Sequence, residues 1–141
     1  MDFIHNLTSY MDAATLLEAF GIAVLGSAGY EADDVIGTLA LQGASDGLAV
    51  TISTGDKDMA QLVDERITVV DTMSGKRRDV AGVTAEFGVP PALMVDFQTL
   101  VGDAVDNVPG APGIGIKTAA QLITEFGDLE SLLARADEIK Q

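Results

Sequence analysis

The chain has 141 residues, 48% of them apolar, which is enough for one ordinary core with or without a small appendage. It contains no Cys, which excludes disulfides and thiolate zinc sites and fits a reducing compartment. Its net charge of −14, with no Lys or Arg before Lys57, is the opposite of the basic face that a nucleic-acid binder normally shows.

Three readings of that acidity stay open. It keeps the protein soluble, or a basic part of the molecule lies outside this chain, or many of the acids are metal ligands. Neutralising the seven acids singled out below would offset half of the net charge, so metal binding alone does not account for it. Residues 1–25 lack a basic segment followed by an apolar stretch and a cleavage site, and no apolar run reaches the length of a membrane span. The expected location is the cytoplasm, without a membrane partner.

Taken in chain order, Ser9–Asp12 has the spacing of a capping box opening a helix through Phe20, with Gly21 as its stop. The apolar run 22–25 predicts a buried strand. Tyr30 to Asp34 leads into a helix to about Leu41, whose apolar side is Val35, Ile36, Leu39 and Ala40. Residues 43–47 form a loop, and 48–53, rich in β-branched residues, a second buried strand. Thr54–Asp58 follows that strand, then a short helix near 59–63, a third strand at 67–70, a turn at Ser74-Gly75 and a returning edge at 78–80. Alternating helices and strands indicate a parallel α/β sheet with helices on its faces. From about residue 83 strands disappear. A short helix at 83–87 ends at Gly88, Pro90-Pro91 opens a longer one to Val101, and a third carries Ile116, Ala119, Ala120, Ile123 and Phe126 on one face. Asp128 caps a last helix to about Ala136. The expected division is an α/β core over 1–82 and a helical region over 83–141.

Three acidic groups carry candidate chemistry. Glu31, Asp33 and Asp34 open a helix, where capping and dipole complementarity explain them as well as a ligand role does. Asp56 and Asp58 follow the C-terminal end of a strand, where open α/β sheets place ligands, although a solvated turn would look the same. Asp103 and Asp106, at i and i+3, would share a face of a helical turn. Carboxylates from several segments repel one another unless a cation joins them. Hard oxygen donors suit Mg²⁺ or Mn²⁺, and two such ions roughly 4 Å apart serve phosphodiester hydrolysis. His5, the one histidine, has no evident partner. Between Val108 and Gly115 runs a Pro/Gly-dense hairpin that leads into a helix with Lys117 and Thr118 in its first turn. Its backbone amides, the helix N-terminus and Lys117 suit a sugar-phosphate backbone, against the plainer reading of a loop. Lys76-Arg77-Arg78 reads as an exposed basic turn, with nucleic-acid contact as the alternative to simple solvation.

The segments GYEADDVIGTLA, TGDKDMAQLV and LVGDAVDNVPGAPGIGIKTAAQLI, in this order over about 95 residues, closely resemble the 5′–3′ exonuclease domain of bacterial DNA polymerase I, within the flap-endonuclease family of PIN-like nucleases. The resemblance implies a PIN-like parallel sheet flanked by helices, followed by an all-α helix–hairpin–helix (helix–three-turn–helix) region. It implies metal-dependent cleavage of 5′ ends, flaps and nicked duplex in DNA, and of RNA primers. Glu31, Asp33 and Asp34 would belong to a first-metal side, and Asp56, Asp58, Asp103 and Asp106 to a second. Gly110, Gly113, Ile114, Gly115, Lys117 and Thr118 would belong to the DNA-gripping hairpin, with K⁺ as a further ion there. Family members begin with a strand bearing an Asp, followed by another metal-binding Asp and a basic helical arch. This sequence matches the family after those features, so the expectation is a fragment or split product with an incomplete first-metal site, its missing part supplied by another segment and a polymerase following as in the family. The alternative function is a DNA-binding piece that does not cleave by itself.

Overall fold

The computed structural model describes residues 13–139. The expected capping box at Ser9–Asp12 and His5 lie outside them. The chain divides into two compact units, Met1–Val35 and Ile36–Gln141. Within the first, helix α1 spans Ala13–Ala19 and stops where Gly21 takes φ +73°. Residues 22–25 do not form the expected strand: they are irregular, and Ile22, Val24 and Leu25 are exposed. A strand exists only through its ladder, and among the described residues nothing pairs with this run.

Helix α2, Ala32–Ser45, runs a turn further than the sequence suggested, through Gly43. Glycine weakens a helix but does not end it. A Cβ at Gly43 would stand 3.2 Å from Val50 Cγ2, so its bareness lets helix and strand approach. Only Ala40 of the expected apolar side is buried, and Leu39 is exposed. Strand β1, Val50–Ser53, pairs in parallel with β2, Ile67–Asp71, and β2 pairs antiparallel with β3, Lys76–Arg78. The sheet is therefore mixed, in the order β1-β2-β3. Among the described residues β1 is an edge with Ile52 alone buried, so the expectation of a fully buried strand is corrected.

A 3₁₀ turn, Asp58–Leu62, connects β1 to β2 and buries Met59 and Ala60. After the sheet, α3 spans Val80–Phe87, capped by Asp79 accepting from Gly82 N–H, and closes on Gly88 at φ +80°. A 3₁₀ turn at Pro91–Leu93 leads into α4, Met94–Val101. Strands β4, Gly102–Asp103, and β5, Val108–Pro109, form a two-residue ladder, so this region is helical apart from one minimal hairpin. Helix α5, Ile116–Phe126, buries Ala119, Leu122, Ile123 and Phe126, while Ile116 is exposed. Helix α6, Leu129–Ala134, is held at its start by Asp128, which accepts from Ser131 N–H, and by Asp96 of α4, which accepts from Leu129 N–H at 3.1 Å.

One core joins these elements of the second unit, with Ile67, Val69, Val83, Val89, Met94 and Ile123 fully enclosed. Phe87 meets Phe97 edge-on at 6.0 Å between ring centres. The expected basic turn is instead the strand β3. There Arg78 is buried and paired with Glu86 at 2.8 Å, and Lys76 reaches the same carboxylate. Among the described residues no single helix is long and apolar enough to cross a membrane.

Candidate metal centre and hairpin

The loop after β1 is folded by its own side chains. Thr54 Oγ1 accepts the Asp56 N–H at 3.1 Å, and Asp56 Oδ1 accepts the Asp58 N–H at 2.8 Å. Such short side-chain-to-backbone bonds are what Asp and Thr contribute to turns. They start the 3₁₀ turn and leave Asp58 as its first residue.

The second acidic segment is fixed by the β4–β5 hairpin. Asp103 Oδ1 accepts from the N–H groups of Val105 (2.7 Å) and Asp106 (3.4 Å), and Asn107 takes φ +58° to close the turn. The expected helical turn at 103–106 is thus a hairpin turn, and the reason is local. Gly102 at φ +74° ends α4, and the Asp103 carboxylate bonds the next amides in place of helical carbonyls. The two acids still come together, because the turn folds back on itself.

Asp58, Asp103 and Asp106 each present a carboxylate oxygen, all three within 4.8 Å of one another. They line a cleft of about 280 Å³ with Gln98, Gly102 and Val108. Burial pushes the Asp58 carboxyl above its usual range, the charges of Asp56 and Asp103 add to this, and the Gln98 amide donating to Asp58 Oδ1 opposes it. Lys57 Nζ donates to Asp103 Oδ2 and holds that carboxyl below its usual range, and the same bond raises Lys57. The donor set is all carboxylate oxygen, close-set and partly buried, which fits a hard divalent cation.

Asp56 adjoins this group through its bond to Asp58 N–H. Glu31, Asp33 and Asp34 are exposed at the start of α2 and belong to the other unit. There Asp34 Oδ2 accepts the Glu31 N–H at 3.1 Å, which is the returning half of a capping box. Two participants escaped the sequence reading. Gln98 meets Asp58 across 40 positions and carries no local signal. Lys57 did carry one, as a base set between two acids.

The hairpin glycines have different reasons. A Cβ on Gly102 would lie 2.2 Å from Gly110 N, and one on Gly110 would lie 2.3 Å from Val101 O, so these two are bare because backbone meets backbone. Gly113 needs its φ of +80°, and at Gly115 a Cβ would meet nothing within 4 Å. Gly115 stands at the start of α5, where no side chain caps the first amides. Ile114 packs against the core, while Lys117 and Thr118 are exposed and Lys117 forms no ion pair among the described residues. Gly113, Ile114 and Thr118 border an open groove of about 940 Å³ along α5.

Residues 6–88 match the family model described as 5′-3′ exonuclease, N-terminal resolvase-like domain, and residues 89–141 match 5′-3′ exonuclease, C-terminal SAM fold. The DNA polymerase I of Pseudomonas aeruginosa is 55% identical over 126 residues, which are 89% of this chain and 14% of that protein. The thermostable DNA polymerase I of Thermus filiformis is 44% identical over 125 residues, 89% of this chain and 15% of that protein. The chain therefore spans about a seventh of the length of these curated relatives. Among solved structures, a mutant bacteriophage T5 5′-exonuclease superposes with a TM-score of 0.81 at 19% identity, over 99% of this chain and 56% of that one. A bacteriophage T5 flap endonuclease in a pseudo-enzyme–product complex with DNA and metal ions gives 0.77 at 19% identity, over 85% and 44%. At that identity the likeness speaks to fold, and the fold is the PIN-like one followed by a helical region.

Proposed function

The chain belongs to the 5′–3′ exonuclease family, and on that premise we propose that it cleaves DNA at 5′ ends and 5′ flaps by metal-dependent phosphodiester hydrolysis. The observation that carries this reading is the meeting of Asp58, Asp103 and Asp106 in one cleft, beside a hairpin that ends in an uncapped helix N-terminus. Two Mg²⁺ or Mn²⁺ ions are the cations we assign, one to Asp56, Asp58, Asp103 and Asp106 and the other to Glu31, Asp33 and Asp34. Such ions, held by these carboxylates, would supply Lewis acidity that makes water a better nucleophile and offsets charge on the leaving oxygen. The chain's own part is to hold the acids in place and to bring the phosphate to them.

We assign the second task to Gly110, Gly113, Ile114, Gly115, Lys117 and Thr118. The uncapped amides of α5 and the Lys117 ammonium attract a phosphate without reading a base. This suits nicked duplex and flaps of any sequence, and RNA primers as well, with K⁺ as a further candidate ion at the hairpin. Residues 1–82 would then carry most of the cleavage machinery and 83–141 the grip, with Asp103 and Asp106 bridging the two roles.

The test is cleavage of a 5′-flap DNA with Mg²⁺ by the parent chain, Asp56→Asn and Asp103→Asn. Loss of cleavage in both variants supports the assignment, and variants as active as the parent overturn it. A second reading rests on the hairpin being built entirely within one unit. In that case duplex binding persists with steep salt dependence while cleavage stays at background.

A further inference from the structure

Asp103 spends both of its oxygens inside the protein. Oδ1 closes the hairpin turn through the amides of Val105 and Asp106, and Oδ2 takes the ammonium of Lys57. Asp103 is also one of the three carboxylates that converge in the cleft. Asp58, another of the three, has one oxygen bonded to Gln98. With the turn holding Oδ1, Oδ2 is the oxygen of Asp103 left for a cation, and a tethered monovalent cation already sits on it.

Lys57 is placed for this by the loop that positions its neighbours. Asp56 and Asp58 are locked by their turn bonds on either side, and Lys57 extends between them to a partner 46 positions away. Its side chain is 41% exposed while that of Asp103 is 15% exposed, so the lysine reaches the acid from the solvent side and has room to leave. Four acids act on it or stand beside it: Asp56, Asp58, Asp103 and Asp106.

We propose that Lys57 is a built-in competitor for the divalent cation, pairing with Asp103 until the ion displaces it. The inference rests on the metal-site reading above. In the cation-free protein Lys57 offsets repulsion among the acids and keeps the cleft assembled. A doubly charged ion outcompetes a single ammonium for the same oxygen, so loading frees the lysine. The affinity for the ion is lower than three carboxylates would otherwise give, and Lys57 sets that threshold.

The experiment is Mn²⁺ binding to the full chain, read by the loss of the free-ion electron paramagnetic resonance signal, with no DNA present. Parent, Lys57→Met, Asp103→Asn and the double variant are compared, with Asp58→Asn as the control on the site, and circular dichroism verifies that each is folded. Lys57→Met is expected to tighten Mn²⁺ binding about tenfold, a step of about 1.4 kcal/mol. The same change made in the Asp103→Asn background is expected to have little effect, because the contested oxygen is gone. Equal tightening in both backgrounds overturns the proposal, since the lysine would then act only as diffuse positive charge. Unchanged or weaker binding in Lys57→Met also overturns it, while the metal site stands if Asp58→Asn loses the ion. Parent binding that Asp58→Asn leaves untouched overturns the metal site and this inference together.

Discussion

Gly102 and Gly110 meet just past the β4–β5 ladder, where a side chain on Gly102 would strike the Gly110 backbone and one on Gly110 would strike the Val101 carbonyl before it. Gly102 ends α4 and Asp103 follows it directly, so this contact lies next to the acid in the chain. Gly102→Ala or Gly110→Ala is expected to destabilise the chain by more than about 3 kcal/mol, since backbone atoms must move apart. Gly113→Ala meets no neighbour and carries only the strain of its positive φ, about 1–2 kcal/mol. Chemical denaturation of the three variants checks the ranking.

Asp58→Asn should separate the site from the fold. It removes a partly buried charge from among other acids, so cation-free stability is expected to stay within about 1 kcal/mol of the parent or to rise. A bound ion stabilises by mass action, about 2.7 kcal/mol at a hundred times its dissociation constant. Mg²⁺ is therefore expected to raise the melting temperature of the parent and leave that of Asp58→Asn where it was.

Glu86 gives the protein an acid limit. The Arg78 guanidinium beside it, with help from Lys76, holds its carboxyl below the ordinary value of 4.5. A depressed carboxylate contributes its full stability above the unfolded value and loses it as pH falls through the lower folded one. Stability is thus expected to drop below about pH 4.5 in the parent and to drop less steeply in Glu86→Gln, where Asp103 and the other depressed carboxylates still contribute. At neutral pH that variant leaves the buried Arg78 without its charged partner, with Nη1 already unbonded, and is expected to cost about 3 kcal/mol. Urea titrations across pH measure both effects.

Lys117→Ala tests the phosphate contact without touching the acids. Duplex binding is expected to weaken to a similar degree for every sequence, and the slope of log affinity against log salt to fall by about 1. A loss confined to particular sequences would point instead to base reading.

What the sequence made legible follows from how far apart the interacting residues lie. Local signals located α3, the 3₁₀ turn, α5, the Asp128 cap and the hairpin, because Gly, Pro and Asp act within a few positions. The run 22–25 misled, since an apolar stretch reports burial potential but not whether a strand lies beside it. Gly43 misled for the reverse reason, as tertiary contact with Val50 held the helix past a residue of poor propensity. Asp103 and Asp106 were identified as a pair on the wrong kind of turn, for the three-residue spacing suits both. Neither Gln98 nor the partner of Lys57 was visible, because each contact spans 40 or more positions.

The long span between Asp58 and Asp103 also governs the order of events in folding. The cleft does not exist until the turn after β1 docks on α4, and a non-local contact of this kind forms only after the entropy of a long loop has been given up. Isolated hairpins or helices of this chain hold no such site. A cation that recognises the finished cleft therefore has little to bind in the transition state. Such a cation is expected to act on the unfolding limb, slowing the departure from the native state while leaving the rate of arrival nearly unchanged, which stopped-flow unfolding with and without Mg²⁺ checks.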